Sequence, residues 1–243
     1  MKKLTILLAF IFTFTFSGAV FAETSSDSDK NYKVTESHKR IKDKNELIKR
    51  AIKQRPKDDK SKTFNSKQLL EKRDYEDGTV EEDYVSSSVA LMDENQQQID
   101  ASTITGVTAA GYTYQDGVFE GSNGIRTVAF VQNLYVTARF TEPYRADTVF
   151  RVNQVETIIV NQDSTYWATK IEHGYHIVNY PTTILKTAIV DNPSVDVSYY
   201  VDSTHSGFYQ YIGGVADGIW SSYTVTINSG ASVSGKVSIA KAN

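Results

Sequence analysis

Over residues 79–243, apolar and polar side chains alternate with a period of two, and no 10-residue helical pattern separates one alternating run from the next. Val195, Val197, Tyr199 and Val201 alternate with Asp196, Ser198, Tyr200 and Asp202. Tyr223, Val225 and Ile227 alternate with Ser222, Thr224 and Thr226, and Val233, Val237 and Ile239 hold the odd phase past Gly235. From Val128 to Phe140 every even position is apolar except Gln132, which predicts one long, bent strand. Successive side chains on a strand point to opposite faces, so each run buries one face and wets the other. Further strands are expected over 85–92, 104–118, 149–160, 166–171 and 183–190.

Turn residues punctuate these runs: Asp116-Gly117, Gly121-Ser122-Asn123-Gly124, Glu142-Pro143, Asn192-Pro193, Gly213-Gly214, Asp217-Gly218 and Ser229-Gly230. Without helices between strands, parallel crossover units are not expected. About ten antiparallel strands with one wet face pack best as two sheets face to face. The expected fold is therefore an all-β antiparallel sandwich, with a distorted barrel as the alternative. No fixed-period repeat points to a propeller or solenoid.

The N-terminus reads as an export signal. Met1-Lys2-Lys3 is positive, residues 4–16 are apolar apart from threonines, and Val20-Phe21-Ala22 places small or branched residues before a cleavage point between Ala22 and Glu23. The apolar run is too short to span a bilayer, so the mature chain is expected to have no transmembrane segment. There is no cysteine, hence no disulfide and no lipid-bearing thiol, and an ordinary core must hold the fold. Export without cysteine predicts a bacterial extracellular protein. No sorting motif for covalent wall attachment is present, so any wall association would be loose.

Charge divides the mature chain unequally. Residues 23–78 carry 16 Lys+Arg against 12 Asp+Glu, and residues 79–243 carry 8 against 17. The first stretch has few large apolar residues and reads as a basic, loosely ordered linker or pro-segment. The second is long enough for one globular core. The boundary is expected near Asp77-Gly78, giving a signal peptide over 1–22, a charged segment over 23–78 and an acidic sandwich over 79–243. Within the charged segment, Ile41, Leu47, Ile48, Ala51 and Ile52 form a narrow helical stripe ending before Pro56. A second short helix is expected from Ser66 to Arg73. The polar face of the first helix, with Lys39, Arg40, Lys49, Arg50 and Lys53, suits an anionic wall polymer or lipid surface.

Catalytic patterns are weak. Of His38, His173, His176 and His205, the pair His173/His176 has a spacing that would converge on a metal only through a bulge at Gly174, since residues three apart on a strand face opposite ways. The expected reading is two surface histidines flanking a hairpin. Asp202, Ser203 and His205 contain the residue types of a serine triad but lie too close in sequence to form one. Glu81-Glu82-Asp83, Glu120, Glu142, Glu156 and Glu172 leave open which carboxylates would meet, as a glycosidase needs. Asp191, Asp196 and Asp202 lack a calcium-loop pattern. No catalytic residue, metal or cofactor is assigned, and the acidic domain argues against a nucleic-acid partner.

The distinctive feature is aromatic: 13 of the 15 tyrosines and both tryptophans lie in residues 79–243. Tyrosine favours strands, yet amphipathic rings also suit recognition surfaces. Tyr166, Trp167, Tyr209, Tyr211 and Trp220 are the candidate ligand-binding residues, Tyr209 and Tyr211 sharing a rim with Trp220 across Gly213-Gly214. The expected function is a secreted, non-enzymatic binder of a cell-surface glycan or protein. The alternatives are a small pore-forming toxin, from its Ser/Thr-rich amphipathic strands, and a carbohydrate-active hydrolase.

Overall fold

A computed structural model of the chain describes residues 31–54, 63–92, 98, 112–115, 118–121, 126–160, 167–179, 182–203, 207–210 and 218–239. The signal peptide with its Ala22/Glu23 junction, the stretch 104–111 of one expected strand, Tyr166, His205, Tyr211 and Gly213-Gly214 lie outside them. The order is β1 (Tyr32–Ser37), α1 (Lys44–Gln54), β2 (Phe64–Tyr75), β3 (Thr79–Met92), β4 (Tyr112–Gln115), β5 (Val118–Gly121), β6 (Arg126–Thr141), β7 (Tyr144–Ile159), β8 (Ala168–Asn179), β9 (Thr182–Asp191), β10 (Ser198–Asp202), β11 (Tyr209–Gln210), β12 (Ile219–Ile227) and β13 (Ser232–Ser238).

Two antiparallel sheets form a β-sandwich, as the alternation predicts. The larger, of nine strands, runs β1-β2-β3-β6, where β6 also pairs with β7 and β5, β7 carries β10 and β11, and β4 pairs with β5; the smaller runs β13-β12-β8-β9. Phe130, Gln132, Leu134, Val136 and Ala138 of β6 face the smaller sheet. Two apolar clusters fill the space between the sheets: one around Phe130, Ile159, Ile171, Tyr223 and Val225, the other around Leu134, Val152, Val155, Tyr175, Ile177 and Val237.

The long arm of the Tyr223 side chain shows how tightly the sheets meet. Tyr223 sits opposite Gly235 on β13, and its hydroxyl reaches across to donate to the Phe130 carbonyl at 3.3 Å. A side chain on Gly235 would overlap the Tyr223 ring, so the glycine is the floor on which the ring lies. Gly235→Ala should cost about 1–3 kcal/mol through overpacking. Thermal unfolding of the variant checks this, and an unchanged melting temperature would contradict the packing.

The outward face of the larger sheet is buried too. The expected amphipathic helix is present as α1: Asp43 Oδ1 accepts the Glu46 amide at 2.9 Å as an N-cap, and Leu47, Ile48 and Ala51 are buried. The helix packs on β2 and β3.

Two expectations for the N-terminal segment are corrected. Residues 66–73 are not a helix but the middle of β2, paired with β1 on one side and β3 on the other. The residues Lys67 to Arg73 favour helix by local propensity, and tertiary pairing overrides it. Asp77-Gly78, the expected boundary, is the β2–β3 turn, with Gly78 at φ 81° and Asp77 Oδ1 accepting the Thr79 amide. The charge break at this point is cross-strand complementarity: Lys72 lies opposite Glu82, and Arg73 opposite Glu81. Residues 31–54 and 63–78 thus join the same fold as the acidic block.

Candidate functional site

Of the five candidate aromatics the three described ones, Trp167, Tyr209 and Trp220, lie apart from one another. Trp167 is exposed at the entry to β8, where its amide and carbonyl bond Asn228 beside the β12–β13 turn. Trp220 lies opposite His176, nine residues further along β8, so the two tryptophans are about 30 Å apart. Tyr209 pairs with Phe150 on the other sheet and packs half-buried against the second apolar cluster. Its ring serves the core.

Trp220 instead centres a cluster on the outer face of the smaller sheet. Along β12, Ile219, Ser221, Tyr223, Val225 and Ile227 are buried while the residues between them point outward. The indole stacks on His176 with ring centroids 4.6 Å apart and planes 8° apart. The Lys236 ammonium stands 4.7 Å from the indole centroid. β12 lies between β8 and β13, so His176 and Lys236 approach the indole from its two neighbouring strands. Burial, and then Lys236, lower the His176 pKa, keeping the imidazole uncharged at neutral pH. Around this stack lie Ser222, Thr224, Ser234 and Ser238, with Leu185 next to His176 on β9.

His173 departs from expectation. Neither histidine flanks a hairpin; both lie within β8, on opposite faces as a regular strand requires. His173 is buried between the sheets, its Nδ1 2.9 Å from Thr157 Oγ1, and burial pushes its pKa down to about 4. It belongs to a polar belt that separates the two apolar clusters. Ser88, Gln132 and Thr157 are in register across β3, β6 and β7. Gln132 Nε2 donates to Thr157 Oγ1 at 3.3 Å and, across the sandwich, to the Ser222 carbonyl at 3.0 Å. The opposing sheet contributes His173, Tyr175 and Ser221. Gln132 Oε1, His173 Nε2, the Tyr175 hydroxyl and Ser221 Oγ have no hydrogen-bond partner among the described residues.

One register step away, on the opposite face, runs a second polar row. Ser87 Oγ donates to Asn133 Oδ1 at 2.6 Å, Asn133 Nδ2 to Glu156 at 2.9 Å, and Tyr200 on β10 to Glu156 at 3.1 Å. Tyr135 also donates to Glu156 at 2.9 Å, and Arg40 forms an ion pair with the same carboxylate. Burial alone would raise the Glu156 pKa, but the Ser198 hydrogen bond, Arg40, Asn133 and Tyr135 together hold it below the usual range. Such a carboxylate stays ionised and makes a poor general acid. The signal for both rows is in the sequence as polar doublets that interrupt alternation: Ser87-Ser88, Gln132-Asn133 and Glu156-Thr157. Each doublet sends one residue to each face.

Glu81 and Asp83 are likewise committed. Arg73 bridges Glu71, Glu81 and Asp83, while Arg139 Nε donates to Glu81 at 2.7 Å. Glu81 aligns with Arg139 and Glu156 with Asn133, six residues apart on β6, a separation of about 20 Å that no glycosidase pair spans. Among the described residues no group of three His, Asp or Glu side chains is placed to hold a metal, and Asp202 accepts from Gln154 at 2.7 Å.

The basic residues expected to meet a wall polymer divide. Arg40 is engaged by Glu156 and stacks over Tyr135, and Arg50 donates to the Lys67 carbonyl. Lys39 and Lys53 are exposed, while the Lys49 side chain lies outside the described residues. A groove of about 350 Å³ opens between the end of α1, β2 and β13. At its wall Lys67 lies over the Tyr84 ring at 3.8 Å, and the Lys67 amide donates to Gln54. Among the described residues no helix is long and apolar enough to cross a membrane.

These features define an all-β sandwich with an internal polar belt and an outward tryptophan–histidine stack. No protein-family model matches the chain, and neither a curated protein nor a solved structure matches it.

Proposed function

We propose that this is an exported, non-enzymatic binding protein that docks a protein on the cell surface through the outer face of its smaller sheet. The observation that carries the reading is the Trp220 cluster. Its indole is held rigidly between His176 and Lys236 on a flat, hydroxyl-rich surface. Rigid aromatics of this kind anchor protein interfaces at low entropic cost. Because His176 stacks on the indole and Lys236 stands close to it, a flat protein surface suits the site better than a sugar ring, which needs an open aromatic face. The exposed amines of Lys39 and Lys53 would add a salt-sensitive attraction to an anionic wall polymer.

The test is binding of the fluorescently labelled mature chain to intact cells, with and without prior protease treatment of their surface. Trp220→Ala should weaken binding roughly tenfold while melting within about 2 °C of the parent, since it leaves the apolar clusters untouched. Protease treatment should abolish binding. Retention on protease-treated cells would favour a glycan ligand. Dye release from lipid vesicles by the same chain would replace this reading with the pore-forming one.

A further inference from the structure

We propose that a second copy of this chain pairs with the first through β9, edge to edge and antiparallel, joining the two four-stranded sheets into one. The two edges of the smaller sheet are treated differently. At β13 the Gln98 side chain acts as a short strand: its Nε2 donates to the Ser234 carbonyl at 2.7 Å and its Oε1 accepts the Ser234 amide at 3.0 Å. That amide closes the β13 edge against further pairing. At β9, among the described residues, no hydrogen bond reaches the main chain from the side away from β8.

The backbone of β9 has a definite orientation. The Lys186 carbonyl lies against Gly174 of β8. Neighbouring residues of an antiparallel strand turn their backbone groups alternately to either side. The even residues of β9 therefore bond β8, and Thr183, Leu185, Thr187, Ile189 and Asp191 direct their amides and carbonyls outward. An unbroken, unbulged edge of this length, without a proline, is a template for another strand.

The side chains identify that strand as another β9. Leu185 and Ile189 are 58% and 60% exposed on the outer face, the most exposed aliphatic side chains among the described residues. They lie symmetrically about Thr187. A two-fold axis through Thr187 sets Leu185 of each copy beside Ile189 of the other, producing one patch of four aliphatic side chains. The same register places Ile184 beside Val190, Lys186 beside Ala188, and Thr183 beside Asp191, with no like charges opposed. Centring the axis on Lys186 would oppose two ammonium groups, and centring it on Ala188 would set Leu185 against Asp191. The contact is isologous, so it closes at two copies.

The axis stands normal to the joined sheet, so both Trp220 clusters face the same way. Five strand spacings across the joined sheet and four residues along it separate them, about 28 Å. The pairing does not depend on what those clusters bind.

Sedimentation equilibrium of the mature chain from about 1 to 100 µM should show a monomer–dimer equilibrium. The double variant Leu185→Lys/Ile189→Lys should weaken association at least tenfold while keeping the parent melting temperature, because both side chains are exposed. Thr187→Cys tests the register, since the chain otherwise has no cysteine and paired residues on the axis lie within disulfide reach. Under mild oxidation it should form a covalent dimer much faster than Thr183→Cys. A parent that stays monomeric throughout the range, association unchanged by the lysine pair, or equal cross-linking at 183 and 187 would each overturn the proposal.

Discussion

A chain that begins at Thr79 is expected to be insoluble or to melt without cooperativity, even though the acidic block taken alone has the length and pattern of a complete domain. Removing residues 23–78 takes away β1, α1 and β2, and with them the strand that pairs along β3 from Val80 to Val89. It also removes Arg73 from Glu81 and Arg40 from Glu156, two carboxylates that are 4% and 2% exposed. Stripping the partner from a buried charge costs about 3–5 kcal/mol. Glu156 suffers that loss in full while Glu81 keeps Arg139, and together with the unpaired edge of β3 it takes a large share of the stability of an ordinary domain, about 5–15 kcal/mol. Circular dichroism and thermal melting of a 79–243 chain are the measurement. A soluble product with a sharp transition would show that the first 78 residues decorate the fold instead of completing it. Arg40→Ala in the full chain is the milder probe, expected to cost about 3 kcal/mol, nearer the lower end because the guanidinium is partly exposed.

Acid should loosen the sandwich from within. His173 titrates near its ordinary value in the unfolded chain and at about 4 in the folded one. Between those values the unfolded chain holds more protons, so stability falls as pH falls. The contribution of His173 is complete above about pH 6.5 and is lost progressively on the way down to about 4, by about 3 kcal/mol in all. Its described neighbours on the inner faces, Thr157, Gln132, Tyr175 and Tyr223, are uncharged and give an imidazolium no compensation. Lys186, one strand away on β9, is turned to the Asp202 carbonyl. Glu156 acts in the same direction but lower, because its depressed pKa places its loss below the usual carboxylate range. Denaturant unfolding at stepped pH separates the two. In His173→Gln the slope between pH 6.5 and 4.5 should shrink to the part that the lowered pKa of His176 supplies, while the fall below 4.5 remains. An unchanged slope in that variant would place the titrating group elsewhere.

The period-two runs, the turn residues between them and the lack of helical spacing were sufficient for a sandwich, because a strand's side-chain alternation is local geometry that the sequence displays directly. The stripe of Leu47, Ile48 and Ala51 was sufficient for α1 for the same reason. The even residues of β6 even marked their own exception, Gln132, which proves to be the belt residue that reaches across to the other sheet.

What only the tertiary structure decided are matters of pairing. The charge difference between the two halves is visible in the sequence, but whether it separates two bodies or joins two strands depends on register. Register set Arg73 against Glu81. Local propensity made residues 66–73 helical until β1 and β3 supplied partners on both edges. The aromatic site followed the same rule. Tyr209 and Trp220 are near in sequence, yet one closes the core on the larger sheet and the other stacks on His176, which the chain reaches 44 residues earlier. Alternation is decided within a few residues, whereas a strand's neighbour is chosen by the free energy of burying whole faces together. That choice brought Ser88, Gln132, Thr157 and His173 into one layer.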